Sequence, residues 1–147
     1  MTNAEYQQKT FWRMFEEELE KVNNPFRINH RKYFATIDKS SAVSNYCLSM
    51  DFLIKKGYLR VGIYMLDDIS AFNHMYSYKD EIEAILEFKP MWTTSGEKKD
   101  SVRRIEVHIP FIENDTDSYL DTIKKAIYYV KQFKKAMPQY SLNTLFD

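Results

Sequence analysis

The stretch 45–65 constrains this chain more than any other. Tyr46, Leu48, Met50, Phe52 and Ile54 alternate with Asn45, Cys47, Ser49 and Asp51. After Lys55-Lys56-Gly57 the alternation resumes, with Leu59, Val61, Ile63 and Met65 on one face and Arg60, Gly62 and Tyr64 on the other. A period of two marks a strand buried on one face only. A short connection ending in glycine, which takes positive φ without a Cβ penalty, makes the pair an antiparallel hairpin.

A helical period follows. Asp67 and Asp68 supply an N-cap carboxylate for free backbone N–H groups. Phe72, Met75, Tyr76, Ile82, Ile85 and Leu86 then recur at helical spacing, with Lys79 interrupting the stripe. The expectation is one helix closed by Pro90, because the residue before a proline is pushed out of the α region. Trp92 should anchor the next strand. A second hairpin runs up through Met91–Thr94, turns at Ser95–Asp100 around Gly96, and returns through Val102–Phe111. Ile105, Val107, Ile109 and Phe111 point inward in this reading, and Arg104, Glu106 and His108 outward.

Two more amphipathic helices flank this block. Residues 3–22 carry Phe11 or Trp12, Phe15, Leu19 and Val22 as a stripe and end at Asn23-Asn24-Pro25. The last helix starts at a Thr116 or Asp117 cap, presents Tyr119, Leu120, Ile123, Ile127, Val130, Phe133 and Met137, and stops at Pro138. Residues 26–42 show no clean period and read as a loop with at most one short turn or strand. The fold class is therefore α+β, helix–hairpin–helix–hairpin–helix. Its antiparallel sheet has four strands, or five with a short extra one, and its helices pack mainly on one face. Residues 1–147 make a single domain, with 138–147 as a loose tail.

Composition narrows the function classes. Twenty-one basic and 21 acidic residues cancel, so no global field draws the chain to nucleic acid or membrane. The single cysteine, Cys47, allows no internal disulfide and fits a reducing cytoplasm. No basic start precedes an apolar run and no run is long enough to span a bilayer, so the expected location is cytoplasmic, without a membrane partner. Three glycines leave little scope for phosphate-cradling loops. Eleven tyrosines fit an interface, although aromatic core filling is the plainer account.

Few residues suggest chemistry. Glu87-Phe88-Lys89, with Asp67 and Asp68 upstream, is the residue set of Mg²⁺ nucleases. One straight helix would hold the two ends about 30 Å apart, so no catalytic residue is assigned. Arg104, Glu106 and His108 share an exposed face; a carboxylate beside a histidine can do acid–base work, but a cross-strand charge ladder explains them more simply. His30, His74 and His108 come from separate elements, so neither metal nor cofactor is expected. Cys47 has no neighbouring base in sequence. The best binding candidate is Arg27, Arg31, Lys32, Tyr33 and Lys39, opposed only by Asp38, because cations pair with phosphates and aromatics stack on bases. A solvated loop with core-filling aromatics is the plainer alternative. Lys124 to Lys135 offer a second basic face, explained in part by the helix dipole.

Several residues together carry a resemblance. They are Phe11-Trp12, Lys55-Lys56-Gly57, Arg60-Val61, Ile63-Tyr64, Phe72, Lys79, Ile82-Glu83, Leu86, Trp92, Glu97-Lys98-Lys99, Arg104-Ile105 and Phe133. Through most of its length the chain resembles the uncharacterised bacterial family called domain of unknown function 4268, often found C-terminal to restriction-endonuclease-like domains. It departs from that pattern at Glu87, where the family has glycine, at Met91, where it has an acidic residue, and at Tyr119, where it has tryptophan. The resemblance implies a restriction, defence or DNA-processing context and no assigned activity. The expected function is a non-enzymatic binding or assembly domain, with a protein partner or a second copy forming a homodimer. A weak nucleic-acid-contacting module is the alternative, and a metal-dependent nuclease-like domain stands last.

Overall fold

A computed structural model describes residues 1–38, 46–66, 69–94 and 102–140. In chain order the elements are α1 (Asn3–Leu19), β1 (Ile28–Arg31), β2 (Phe34–Ile37), β3 (Tyr46–Leu53), β4 (Tyr58–Leu66), α2 (Ile69–Ser77), α3 (Lys79–Leu86), β5 (Met91–Thr94), β6 (Val102–Pro110) and α4 (Thr116–Tyr140). The expected β3–β4 hairpin forms, with Met50 opposite Val61 and Asp51 opposite Arg60. Gly57 closes it at φ 76°.

The sheet has six antiparallel strands in the order β1-β2-β3-β4-β6-β5, not four or five. The extra pair comes from residues 28–37, where Ile28 faces Ile37 and Arg31 faces Phe34. No hydrophobic alternation announces this hairpin. Its core-side residues include His30 and Ala35, while the apolar Phe34 lies on the opposite face. Its turn is made by Lys32, at φ 49°, without the usual glycine or asparagine.

The expected single helix after β4 is two helices. The chain breaks at Tyr78, whose φ of −109° and ψ of 24° leave the helical region. The Asp67/Asp68 cap and the turn around Gly96 lie outside the described residues, as do Lys39 and residues 141–147 of the tail. The cap of α4 is Asp115 rather than Thr116 or Asp117, since its Oδ1 accepts from the Ser118 N–H at 3.1 Å. α4 runs two residues past Pro138 to Tyr140; a proline this near a helix end removes a single hydrogen bond from the ladder. α1 ends at Leu19, three residues before the expected limit.

The helices lie against one face of the sheet. Leu48, Met50, Phe52, Leu59, Val61, Ile63, Met65, Ile105 and Ile109 are buried there, as the alternation requires, while Val107 is half-buried. Arg103 occupies the same face and is also buried. Aromatic rings join the layers. Phe11 of α1 stacks on Phe52 at 4.2 Å, Phe52 stacks on Phe111 at 4.6 Å, and Tyr119 of α4 meets each edge-on within 5.7 Å. Such pairs contribute about 0.5–1.5 kcal/mol each beyond burial. Buried Gln7 ties α1 to the start of α4 by accepting from the Tyr119 hydroxyl at 2.5 Å and the Asn114 N–H at 3.1 Å.

Two backbone positions give opposite predictions. At Gly62 an added Cβ would stand 2.0 Å from the Ile105 carbonyl oxygen, which is paired backbone and cannot swing aside. Gly62→Ala is expected to lower unfolding stability by about 3 kcal/mol or more. Glu87 ends α3 in the left-handed region at φ 66°, the position where the resemblance has glycine. Glu87→Gly is expected to raise stability by about 0.5–1 kcal/mol. Urea denaturation of both variants checks the pair.

Candidate nucleic-acid interface

The face of the sheet away from the helices is polar. β3 contributes Cys47, Ser49 and Asp51; β4 contributes Tyr58, Arg60, Gly62 and Tyr64; β6 contributes Arg104, Glu106 and His108. Register brings opposite charges together, because Arg60 stands between Asp51 on one side and His108 on the other. Asp51 Oδ2 accepts from Arg60 Nε at 3.0 Å and lies 3.4 Å from Arg104 Nη1. Arg104 sits 4.5 Å above the Tyr64 ring, and Tyr58 stacks on His108 at 4.0 Å. Glu106 Oε1 accepts from the Thr93 hydroxyl at 3.1 Å, while Oε2 lies 3.5 Å from Arg60 Nε and 3.6 Å from His108 Nε2. Those last separations exceed hydrogen-bond length, and Glu106 Oε2 is buried without a hydrogen-bond partner among the described residues.

This is a charge ladder, denser and more buried than an exposed face would be: Asp51 is 7% exposed and Glu106 6%. Burial and the neighbouring Arg60 both lower the Arg104 pKa. Burial, then the Asp51 carboxylate, push the Cys47 thiol up, which keeps it a thiol rather than a nucleophilic thiolate. Asp51 is engaged by both arginines, whereas Glu106 is held through Oε1 by the Thr93 hydroxyl. Among the described residues no group of three His, Cys, Asp or Glu side chains is placed to hold a metal ion. Glu87 ends α3 beside Gln132. His30 stacks on Trp12, His74 meets Tyr78 and His108 stacks on Tyr58, so the three histidines stay apart.

The five candidate nucleic-acid residues do not form one patch. Arg27 precedes β1, whereas Arg31, Lys32 and Tyr33 make the turn at its far end. At about 3.3 Å per residue the two ends lie about 13 Å apart. Lys39 lies outside the described residues. At the turn the backbone is fixed while the side chains face solvent. Trp12 Nε1 donates to the Lys32 carbonyl at 2.8 Å and the Phe52 N–H donates to the Tyr33 carbonyl at 2.6 Å. Arg31 and Lys32 are exposed, and Tyr33 is 47% exposed. A cavity of about 320 Å³ adjoins this turn and brings Lys9 and Glu5 of α1 to it.

At the other end, the structure joins the two basic stretches. Asp38 Oδ1 accepts from the Arg27 N–H at 2.8 Å and Oδ2 pairs with Lys134 at 2.7 Å. Burial works to raise the Asp38 carboxyl, but Lys134 and the Arg27 N–H outweigh it and hold it below its usual range. Lys131, Lys134 and Lys135 line a second cavity there of about 340 Å³. Lys125, by contrast, pairs with Asp121 on the surface of α4 at 3.1 Å.

A family model described as a domain of unknown function (DUF4268) matches residues 7–141. The chain belongs to this family. No curated protein and no solved structure matches it. The Tyr119 hydroxyl, at the position where the resemblance has tryptophan, donates to Gln7 while accepting from the Asn114 N–H at 3.0 Å. An indole N–H could only donate. No helix among the described residues is long and apolar enough to cross a membrane.

Sequence reasoning missed Asp51, Arg60, Tyr58 and Tyr64 as members of one cluster with Arg104, Glu106 and His108. The signal was present in the outward positions of β3 and β4, whose register follows from the Lys55–Gly57 turn. Removing Asp51 leaves two partly buried guanidinium groups facing each other. Asp51→Ala is expected to lower stability by about 3 kcal/mol, while Lys125→Ala, which breaks only the exposed pair with Asp121, costs under about 0.5 kcal/mol. Thermal and urea unfolding of the two variants measure the contrast.

Proposed function

We propose that this domain is a non-enzymatic binding module of a bacterial restriction, defence or DNA-processing system, and that its β1–β2 turn contacts a nucleic-acid backbone. One observation carries the reading: Arg31, Lys32 and Tyr33 are exposed together on a turn whose backbone is pinned to the core from both sides. Holding cations and a ring in place before binding reduces the ordering cost of the complex. Lys9 adds a third cation at the turn.

Three cations at the turn imply weak, sequence-independent binding, no better than about 10⁻⁴ to 10⁻⁶ M at physiological salt. For a single strand the slope of log affinity against log salt is expected near −2, since each neutralised phosphate contributes about −0.7. Arg31→Glu with Lys32→Glu should remove the binding, and reversal at Lys124 and Lys125 should change it little. Fluorescence anisotropy with a labelled strand across a salt series is the measurement; unaltered binding by the double reversal contradicts the reading.

Assembly is the second reading, favoured by the sheet's two four-residue edge strands, β1 and β5, each of which pairs with a single neighbour among the described residues. Unpaired edges offer backbone donors and acceptors to another chain. A homodimer would appear in light scattering at twice the 17.7 kDa chain mass, and a monomer throughout the micromolar range contradicts it.

A further inference from the structure

A cavity of about 250 Å³ opens on the helix-free face above the middle of β3. Its floor is Cys47 and Ser49, with Asp51 at one end; Tyr33, Phe34 and Thr36 stand on one side, Tyr64 and Arg104 on the other. We propose that this cavity is a subsite for one nucleobase of a single strand, taken between the Tyr33–Phe34 side and the Tyr64–Arg104 side, with a donor edge directed at Asp51. The proposal rests on the nucleic-acid reading above and names which part of the ligand the sheet face receives.

Three features suit this occupant. β2 and β4 flank β3 about 9–10 Å apart, and the register sets Phe34 opposite Asp51 and Tyr64 opposite Cys47, so the opening above Ser49 runs obliquely from one ring to the other, with side-chain-free Gly62 beside it. A volume of about 250 Å³ falls below the range of about 300–1,000 Å³ typical for whole small-molecule ligands, which suits one part of a larger chain. Small residues on β3 make the floor, and a larger side chain at position 49 would fill the space.

Charge decides the chemistry of the ring. Arg60 and Arg104 balance Asp51 and Glu106, so the cavity offers no surplus cation for a phosphate. Asp51 uses Oδ2 for both arginines, and its Oδ1 accepts no hydrogen bond among the described residues. A neutral ring with an exocyclic amine supplies the missing donor, and the Ser49 and Thr36 hydroxyls can satisfy a second polar position on its edge. Adenine and cytosine have such an edge; thymine carries a carbonyl in its place. Tyr33 belongs both to the cavity and to the basic turn, so a strand can lay phosphates on Arg31 and Lys32 while one base enters the cavity. A base paired within a duplex is not available for this, so the ligand is single-stranded.

The test uses a short labelled abasic single strand, bare or carrying one central adenine or one central thymine, titrated with the full chain at low salt. The adenine strand is expected to bind about fivefold or more tightly than the bare strand, the lower bound for stacking one base, and more tightly than the thymine strand. Ser49→Phe should erase the adenine advantage while leaving the bare-strand affinity unchanged. Thr36→Phe fills the cavity from β2 and serves if Ser49→Phe does not fold. Lys32→Glu should weaken all three strands together. An adenine strand that binds no better than the bare or thymine strand overturns the subsite and leaves the backbone contact standing. A bare strand that does not bind removes the backbone contact, and an adenine advantage that survives both cavity-filling variants removes the subsite.

Discussion

The sheet depends on the close passage of β4 against β6 at Gly62. No side chain fits there, because a Cβ would lie 2.0 Å from the Ile105 carbonyl oxygen. The glycine lets the two central strands pair along their length, from Tyr58 opposite Pro110 to Leu66 opposite Val102. That register sets both faces of the sheet. On one it stacks Leu59, Val61 and Ile63 against Ile105 and Ile109 under the helices. On the other it places Arg60 beside His108 and Tyr64 beside Arg104. Slipping the register by one residue would exchange the two faces, burying arginines under α4 and exposing the core.

The same register explains why the polar face is ordered rather than merely solvated. Arg60 reaches Asp51 and approaches Glu106, Arg104 reaches Asp51 and covers Tyr64, and Tyr58 covers His108. Each charge is held by a neighbour on another strand. A buried ion pair of this kind is weak evidence for net stability, since desolvation offsets much of the attraction. Its effect is to fix the positions of side chains on a face that no helix among the described residues covers. A binding surface gains from such order, because fewer rotamers remain to be frozen when a ligand arrives.

What the sequence made readable follows from how strongly each segment repeats. β3, β4, β6 and the last helix carry clean periods, and their large inward apolar residues were identifiable, Phe133 and Tyr119 included, whereas buried Arg103 and Gln132 were not. The β1–β2 hairpin was not readable because its core side uses His30 and Ala35 and its turn uses Lys32 in a left-handed conformation. The break at Tyr78 was hidden because Met75, Tyr76 and Ile82 keep helical spacing across it. The polar cluster needed register as well as period: Asp51 and Arg60 are nine positions apart and meet only because four residues, Ile54 to Gly57, close the hairpin between β3 and β4. The candidate basic segment is divided in space, since the hairpin brings Arg27 and Asp38 together at its open end and carries Arg31, Lys32 and Tyr33 to the turn at the other.

The central claim is that the working surface is the β1–β2 turn together with the helix-free face beside it. Nuclear magnetic resonance of ¹⁵N-labelled protein titrated with a short single strand tests this without any substitution. The account predicts that the amide shifts of Lys32, Tyr33, Phe34, Ser49 and Tyr64 move with added strand while those of α4 between Lys124 and Lys135 stay in place. Shifts confined to α4 or to β5, with the turn unmoved at saturating strand, would contradict it.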